Sequence, residues 1–322
     1  MPTNIFNSEI LTFADDTKVV HKIESASDTI SLQNDLDLIL SWSRKNNMKL
    51  NHSKFELVSH KPNQNSLVIT YFSELPFSSL YNVYFSEYTL ISKVNCVRDL
   101  GVLINSELDW GEHISKLCKM GKQLSGWILN VFFSRDKSVM LTLFNSIIRS
   151  RLEYCCQVWS PYKISQISAL EKIQRSFTSK IVSVKELIYW ERLKFLKFMS
   201  LQRRREKLII ILVFKIKNNM VPNDIGLQFV WNNRRSHMQA VVKPMPKIRG
   251  KLLTIYENSF IVRAAKLWNI LPHQIAATVS LNVFLKKLDS YLSLYPDCPP
   301  ITGYYHVNSN SLTDYTKIGT WS

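Results

Sequence analysis

Two adjacent aspartates stand between two strand-like segments near the start of the chain. Asp15 and Asp16 lie within "EILTFADDTKVVHK", residues 9–22, where β-prone residues flank a turn-tolerant alanine. The pattern predicts a β-hairpin over residues 8–22 with both carboxylates at its tip. Mg²⁺ is commonly held by one or two carboxylates together with substrate phosphates, so this tip is a candidate metal site. An ordinary exposed turn, in which aspartates accept local backbone hydrogen bonds, is the alternative.

The segments that follow must position this hairpin, and they predict a small mixed α/β region. Apolar residues at helical spacing predict an amphipathic helix that begins at Ser27 or Asp28 and ends near Asn46. Residues 48–60 predict a return to a strand. Alternating β-branched and aromatic residues continue the strand pattern through 66–105.

Helical periodicity dominates the rest of the chain. Apolar residues recur every three or four positions from Ile114 to Val131, which predicts an amphipathic helix. Three similar patterns follow, and four helices in succession predict a bundle. The predicted elements after the first helix are helices over 137–153, 163–182, 185–219, 258–270 and 281–294, a basic arm or loop over 232–251, and a loose tail after Pro296.

Basic charge is concentrated beyond residue 110. The net charge is +16, with 9 basic against 13 acidic residues in 1–110, 21 against 7 in 111–220, and 11 against 5 in 221–322. A cationic body of this kind favours a polyanionic partner, and a solvated surface is the alternative. Phosphate contacts would set affinity without reading base sequence. The side chains predicted to make them are Lys116, Lys119, Lys122, Arg149, Arg151, Arg203, Arg204 and Arg205.

Cysteine usage and hydropathy exclude several classes of protein. The five cysteines form no C-x-x-C pair, and Cys298 with His306 would give too few ligands for a structural zinc site. The longest apolar run, residues 208–214, is about a third of the length that crosses a bilayer. We therefore expect an intracellular protein, cytoplasmic or nuclear, with no membrane span and no secretion signal. The sequence contains no P-loop, zinc-protease or serine-hydrolase motif.

Several ordered segments resemble the later part of a reverse transcriptase, most closely those of non-LTR, LINE-like retrotransposons of the jockey and related groups. The stretch "LTFADDTKVV", followed by a helix and "WSRKNNMKLNHSKFELV", is similar to the second half of the polymerase palm. The stretch "DLGVLINSELDWGEHISKL" resembles the primer-grip turn entering the thumb. The stretches "LFNSIIRSRLEYCCQVWSP", "LEKIQRSFTSKI" and "SFIVRAAKLWNILP" resemble the helical region after the palm.

The resemblance implies roles for individual residues. Asp15 and Asp16 would form the catalytic hairpin, with Asp15 the firm Mg²⁺ ligand and Asp16 its less essential neighbour. Lys54 would lie near the phosphates of the incoming nucleotide, where a cation can neutralise or protonate the leaving pyrophosphate; a surface lysine on a strand edge is the alternative. Leu100 and Gly101 would form the turn that places the primer end, and an ordinary β-turn is the alternative there.

The resemblance also implies a fold class and an organisation. The class is α+β, mostly α, with an incomplete polymerase palm made of short hairpins and one long helix, followed by a helical thumb. The partners would be an RNA template and a DNA primer. The predicted parts are a partial palm over 1–105, a thumb and helical bundle over 106–222, a basic linker with C-terminal helices over 223–295, and a flexible tail over 296–322.

A complete nucleotidyl-transfer site needs more than this hairpin. Two-metal catalysis uses carboxylates that clamp two ions about 3.5–4 Å apart. In the family an aspartate on an earlier strand contributes, and only 14 residues precede Asp15. We therefore expect a truncated reverse transcriptase that is inactive alone and has an uncovered apolar sheet face. The alternatives are a non-catalytic nucleic-acid-binding remnant and an incomplete version of an active polymerase.

Overall fold

The computed structural model describes residues 7–60, 91–232, 237–241, 249–298 and 310–314. The chain forms two compact units, residues 1–109 and 110–322, called here the N-terminal unit and the C-terminal unit. The described parts are mostly helical, and their strands form small two-stranded sheets. This confirms an α+β fold in which helix predominates. The division into palm, thumb, linker and tail stays a prediction, and the strands predicted between 66 and 90 lie outside the described residues.

The N-terminal unit combines two antiparallel hairpins, one long helix and a short parallel strand pair. The Asp28 carboxylate accepts the backbone N–H of Ser25 at 2.7 Å, so the helix begins earlier than the predicted Ser27 or Asp28. The predicted strand over 48–60 is wrong for most of its length, because a 3₁₀ turn, His52–Lys54, occupies its middle. The elements are β1 Glu9–Phe13, β2 Asp16–Val20, α1 Ala26–Lys45, β3 Glu56–Leu57, β4 Ser92–Lys93, β5 Cys96–Asp99 and β6 Val102–Asn105.

The described residues of the C-terminal unit are helical or irregular apart from one hairpin. Its main core includes Phe214, Trp268 and Phe284, and the rings of Phe214 and Phe284 stack with their centroids 3.9 Å apart. The elements are α2 Gly111–Val131, α3 Lys137–Leu143, a π-helical turn Phe144–Arg149, α4 Ser150–Glu153, α5 Cys156–Trp159, α6 Ile164–Thr178, a 3₁₀ turn Val182–Val184, α7 Tyr189–Leu196, α8 Leu201–Lys217, β7 Gln228–Asn232, β8 His237–Val241, α9 Lys251–Glu257, α10 Phe260–Asn269, α11 His273–Ala276 and α12 Leu281–Ser293.

Three predictions for the C-terminal unit need correction. The helix predicted over 185–219 is two helices, because Lys197 adopts a left-handed conformation with φ 55° and ends α7 before Ser200 caps α8. The arm predicted over 232–251 includes the second strand of the β7–β8 hairpin. The tail is not loose throughout, since the side chain of Leu312 is fully buried. None of the described helices has the length and hydropathy that crossing a bilayer requires.

Candidate catalytic hairpin and nucleic-acid interface

The predicted hairpin at the start of the chain is confirmed. Strands β1 and β2 pair in register, with Phe13 opposite Asp16, and a two-residue turn of Ala14 and Asp15 joins them. Ala14 has a positive φ of 53°, which a tight hairpin turn requires at this position. Both aspartates are exposed, Asp15 in the turn and Asp16 as the first residue of β2. The tip therefore presents two carboxylates to solvent.

A buried carboxylate on α1 fixes the base of this hairpin. Asp35 accepts the backbone N–H groups of Asn7 and Ser8 at 3.1 and 2.7 Å. It also accepts the Ser8 hydroxyl at 2.5 Å, and that hydroxyl lies 3.0 Å from Nδ1 of His21, the residue after β2. Both strands are thus tied to one helix, which sets the position of the aspartate tip. The sequence reading missed this contact, because Asp35 falls inside a helical pattern with no local sign of a long-range partner.

The described residues do not complete a two-metal site. No group of three or more His, Cys, Asp or Glu side chains able to hold a metal ion occurs among them. Asp99 on β5 is held by the ammonium group of Lys18 at 2.5 Å. Asp15 and Asp16 fit the one or two carboxylates that Mg²⁺ takes alongside substrate phosphates. They do not by themselves fit a two-ion clamp, which needs further oxygen donors.

Lys54 is exposed, and it does not lie on a strand edge, which was the alternative to its predicted role. It ends the 3₁₀ turn that precedes β3. The side chain of Asn51 accepts the backbone N–H and the hydroxyl of Ser53 at 3.2 and 2.7 Å, and these bonds hold the turn. Lys54 therefore projects from a stabilised turn, and its predicted role beside nucleotide phosphates stays a prediction.

Leu100 and Gly101 form the two-residue turn between β5 and β6. Their φ angles are 44° and 91°, both in the region that a type I′ hairpin turn requires. Glycine adopts such angles at little cost, whereas leucine is strained there. Glycine, which tolerates a positive φ, therefore occupies the second turn position, and the half-exposed side chain of Leu100 occupies the first. A placement role for the primer end stays a prediction.

The strain in this turn gives a testable expectation. Gly101→Ala should destabilise the hairpin by about 1–2 kcal/mol, because an L-residue is disfavoured at a positive φ. Leu100→Asn is the matched control and should be neutral or stabilising, since asparagine tolerates this region. Amide hydrogen exchange over residues 96–105 measures both, with roughly tenfold faster exchange expected for Gly101→Ala. Unchanged exchange in Gly101→Ala would contradict this account of the turn.

The three predicted lysines lie exposed along α2. Lys116, Lys119 and Lys122 face solvent, and none forms an ion pair with a carboxylate of the described residues. The opposite side of α2 packs against α6, where Gly121 lies beside the side chain of Ile173. The packing of α2 against α6 therefore keeps the lysine side chains on the solvent-facing side of the helix. These three charges are available to a polyanion.

Arg149, Arg151 and Arg204 differ from one another in their surroundings. Arg151 is exposed on α4. Arg204 forms a bidentate pair with Glu153, including one bond of 2.8 Å, and Arg149 lies 3.9 Å from the same carboxylate. Burial, and then the charge of Arg204, lower the pKa of Arg149, while Glu153 acts in the opposite direction. Of the three residues, Arg151 is the one whose charge is open to an added phosphate.

The prediction that Arg203 and Arg205 contact phosphates is corrected by their burial. They are 1% and 2% exposed, because the start of α8 is covered by protein on more than one side. Arg203 donates from Nη2 to the carbonyls of Pro296 and Asn310 at 3.3 and 3.4 Å. Burial lowers the pKa of Arg205, and the charge of Glu171 opposes this. Both guanidinium groups are enclosed by protein, so neither residue belongs to the predicted nucleic-acid surface.

A buried acidic network surrounds the start of α8. Glu171 accepts the hydroxyl of Tyr189 and the backbone N–H of Leu201, the latter at 3.0 Å. Asp297 accepts the N–H and hydroxyl of Ser200 at 2.6 and 2.7 Å. Burial raises the pKa of Glu171 to about 7 although these donors favour the ionised form. The network caps α8 from two distant parts of the chain, and the helix predicted continuously over 185–219 did not include a cap at Ser200.

Comparison with known proteins gives one informative similarity. The chain is 25% identical over 173 residues to a Drosophila melanogaster protein described as "Probable RNA-directed DNA polymerase from transposon X-element". The match covers 52% of this chain and 17% of that protein. No protein-family model and no solved structure matches the chain. The similarity supports a reverse-transcriptase-like relationship, which agrees with the resemblance drawn from the sequence.

Proposed function

We propose that this chain carries part of the polymerase region of a transposon RNA-directed DNA polymerase. The observation that carries the proposal is the exposed aspartate pair at the tip of a hairpin anchored to α1, in a chain with a transposon polymerase relative. In this proposal Asp15 and Asp16 bind Mg²⁺. An RNA template and a DNA primer bind the basic C-terminal unit. The assignment of the N-terminal unit to a palm and of α2 to a thumb belongs to the proposal.

The chemistry of the hairpin sets a limit on what the chain does alone. Magnesium bound at the tip would neutralise the charge of nucleotide phosphates, which is the largest electrostatic requirement of phosphoryl transfer. Lys54 would add a cation near the leaving pyrophosphate. Two-ion catalysis needs a further oxygen donor opposite the aspartate pair, and the described residues contain no group of three or more side chains that could hold a metal ion. We therefore propose that the isolated chain binds nucleic acid without extending a primer.

Primer extension tests this limit. The purified chain, with Mg²⁺, deoxynucleotides and an RNA template annealed to a DNA primer, should give no incorporation above background. The Asp15→Ala variant serves as the control. Extension by the unsubstituted chain that is lost in Asp15→Ala would contradict the proposed incapacity and would establish the hairpin as a complete catalytic site. Equal background for both proteins is the expected result.

Nucleic-acid binding is tested through the lysines of α2. Replacing Lys116, Lys119 and Lys122 together with glutamine should weaken binding of an RNA/DNA duplex. It should also reduce the slope of log affinity against log salt by about 2–3, because each phosphate contact contributes about 0.7–0.9. Fluorescence anisotropy between 50 and 200 mM salt measures the slope.

The matched control removes the same charge elsewhere in the C-terminal unit. Lys172, Lys180 and Lys185 are exposed lysines outside α2. Replacing these three lysines with glutamine should change the slope of log affinity against log salt less than the α2 variant does. Equal reductions in the two variants would mean that binding follows net charge and not the α2 surface.

A second candidate function is nucleic-acid binding alone, in which the chain takes no part in catalysis either by itself or together with other chains. No group of three or more metal-binding side chains occurs among the described residues, whereas the C-terminal unit has exposed lysines, and these two observations favour it. The two candidate functions differ in whether Mg²⁺-dependent binding of nucleic acid requires the aspartates of the hairpin. Asp15→Ala and Asp16→Ala should leave affinity unchanged with and without Mg²⁺ if the chain only binds, whereas Mg²⁺-dependent binding that requires Asp15 supports the polymerase proposal.

A further inference from the structure

Two exposed aromatic residues lie at the C-terminal end of α2, Trp127 within the helix and Phe133 just beyond it. Trp127 is 52% exposed within the last turns of the helix, and Phe133, just after it, is 91% exposed. Trp127 is about three helical turns beyond Lys116, so the two side chains share a face about 16 Å apart along the axis. At about 3.4 Å per stacked nucleotide this distance matches roughly five nucleotides of one strand.

The backbone that presents these rings is held in place. The guanidinium of Arg135 donates to the carbonyls of Leu129, at 2.7 Å, and of Phe132. The N–H of Val182 in turn donates to the carbonyl of Arg135 at 3.3 Å. The ring of Phe132 stands edge-on to Trp127 with centroids 6.3 Å apart, which orients the indole. Single exposed apolar residues are common, but an exposed tryptophan on the helix side that carries three lysines, followed by an exposed phenylalanine on a secured turn, has the composition of a stacking surface.

We propose that Trp127 and Phe133 stack the unpaired bases of a single-stranded polynucleotide whose phosphates lie along Lys116, Lys119 and Lys122. The proposal rests on the proposed function and narrows its substrate, because a stacking ring has no access to a base already paired and stacked in a duplex. Aromatic stacking and a cationic track are the two elements of sequence-tolerant single-strand binding. The lysines alone would bind single and double strands alike.

A lipid surface is the competing occupant of a basic, aromatic face. Membrane-binding amphipathic helices insert their apolar side into the headgroup region. The apolar side of α2 is instead buried in protein, where Ile114, Leu117 and Ile128 are 9% exposed or less. What remains outward is chiefly polar and cationic apart from the aromatic end. That distribution fits a charged strand with exposed bases better than a hydrocarbon boundary.

The test compares single-stranded and duplex oligonucleotides of the same sequence by fluorescence anisotropy. Trp127→Leu keeps an apolar side chain without a large ring and should weaken single-strand binding about fivefold or more, with duplex affinity within about twofold. Trp127→Phe keeps a ring and should retain most of the affinity. Phe133→Leu tests the second ring independently. Val279→Ala is the control, because Val279 is an exposed apolar residue between α11 and α12.

Several outcomes would overturn the proposal. Unchanged single-strand affinity in both Trp127→Leu and Phe133→Leu does so, as does an equal loss for single strands and duplex. Loss of binding to phosphatidylserine vesicles in Trp127→Leu, with oligonucleotide affinity intact, would assign the surface to lipid. If the triple lysine variant weakens binding while Trp127→Leu does not, the stacking site fails and the proposed function stands. If neither the lysine nor the tryptophan variant changes affinity, both fail.

Discussion

Replacing Glu153 with alanine should destabilise the C-terminal unit by about 2–4 kcal/mol. This carboxylate is shared by Arg204, in a bidentate pair, and by Arg149 at 3.9 Å. Removing it leaves two largely enclosed guanidinium groups without their counter-charge. Breaking a fully buried pair costs about 3–5 kcal/mol, and the partial exposure here, 13% for Glu153 and 23% for Arg204, reduces the expected loss.

A second ion pair in the same unit provides the control. Lys207 pairs with Asp289, whose side chain is 49% exposed. Asp289→Asn should cost less than about 1 kcal/mol, because water screens and replaces an exposed pair. Denaturant unfolding followed by tryptophan fluorescence suits this comparison, since Trp42 is the one tryptophan of the sequence before residue 110. Similar losses for Glu153→Ala and Asp289→Asn would contradict the role given to burial.

A double substitution separates lost packing from uncompensated charge. The double variant Glu153→Ala, Arg204→Leu removes the carboxylate together with the guanidinium that forms the bidentate pair with it. The double variant should therefore be more stable than the sum of the two single losses predicts, by at least about 0.5 kcal/mol. Strict additivity would mean that Glu153 and Arg204 stabilise the fold independently.

Local patterns in the sequence were sufficient for the hairpin that carries Asp15 and Asp16 and for α1. β-prone residues around a turn-tolerant segment indicate the hairpin, and apolar residues at helical spacing indicate α1, so no distant partner is needed to recognise either element. The position of the hairpin was not predictable in this way. It depends on Asp35 accepting from Ser8, about 27 residues away, and nothing local marks an aspartate in a helix as a buried acceptor.

The run Arg203, Arg204 and Arg205 shows why composition was insufficient for the basic surface. Successive residues on a helix point about 100° apart, so three neighbours cannot share one face. Arg203 and Arg205 point to nearly opposite sides of α8 and are both buried, because this part of the helix is covered by protein on more than one side. Arg203 lies 3.9 Å from the carboxylate of Glu206 on the same helix. It also donates to the carbonyls of Pro296 and Asn310, and sequence spacing does not reveal these distant contacts. The lysines of α2, spaced three apart, fall on one side and were correctly predicted to be exposed.

The break between α7 and α8 was missed for a related reason. No glycine or proline marks it, and Lys197 takes the left-handed angle that usually signals glycine. The turn is secured by the N–H of Phe198 donating to the carbonyl of Leu193 at 2.9 Å. The cost of that conformation is offset by the capped start of α8 at Ser200, which the sequence shows only once the break is known.

The contact between α2 and α6 gives the second large expected effect. A Cβ added to Gly121 would lie 2.9 Å from Cδ1 and 3.2 Å from Cγ2 of Ile173, closer than side chains normally approach. Ile173 is itself buried and has little room to move. Gly121→Leu should therefore destabilise the C-terminal unit by about 2–3 kcal/mol, because overpacking outweighs the gain in helix propensity.

Gly126 is the matched control on the same helix. A Cβ there would meet nothing within 4 Å, and the residue is exposed. Gly126→Leu should be stabilising by up to about 1 kcal/mol, the intrinsic preference of a helix for leucine over glycine. The two substitutions are chemically identical, so an opposite sign isolates the packing contribution. The same sign for both would show that α6 does not constrain α2 at Gly121.

A compensating change tests whether Ile173 is the obstacle. Ile173→Ala removes the methyl groups that a leucine at position 121 would strike, and exchanging volume between facing positions is usually tolerated. Gly121→Leu combined with Ile173→Ala should therefore recover at least half of the loss caused by Gly121→Leu. Recovery of stability should be accompanied by recovery of oligonucleotide binding, because the lysines of α2 depend on this packing for their outward position. Restored stability without restored binding would separate the fold of α2 from the surface proposed on it.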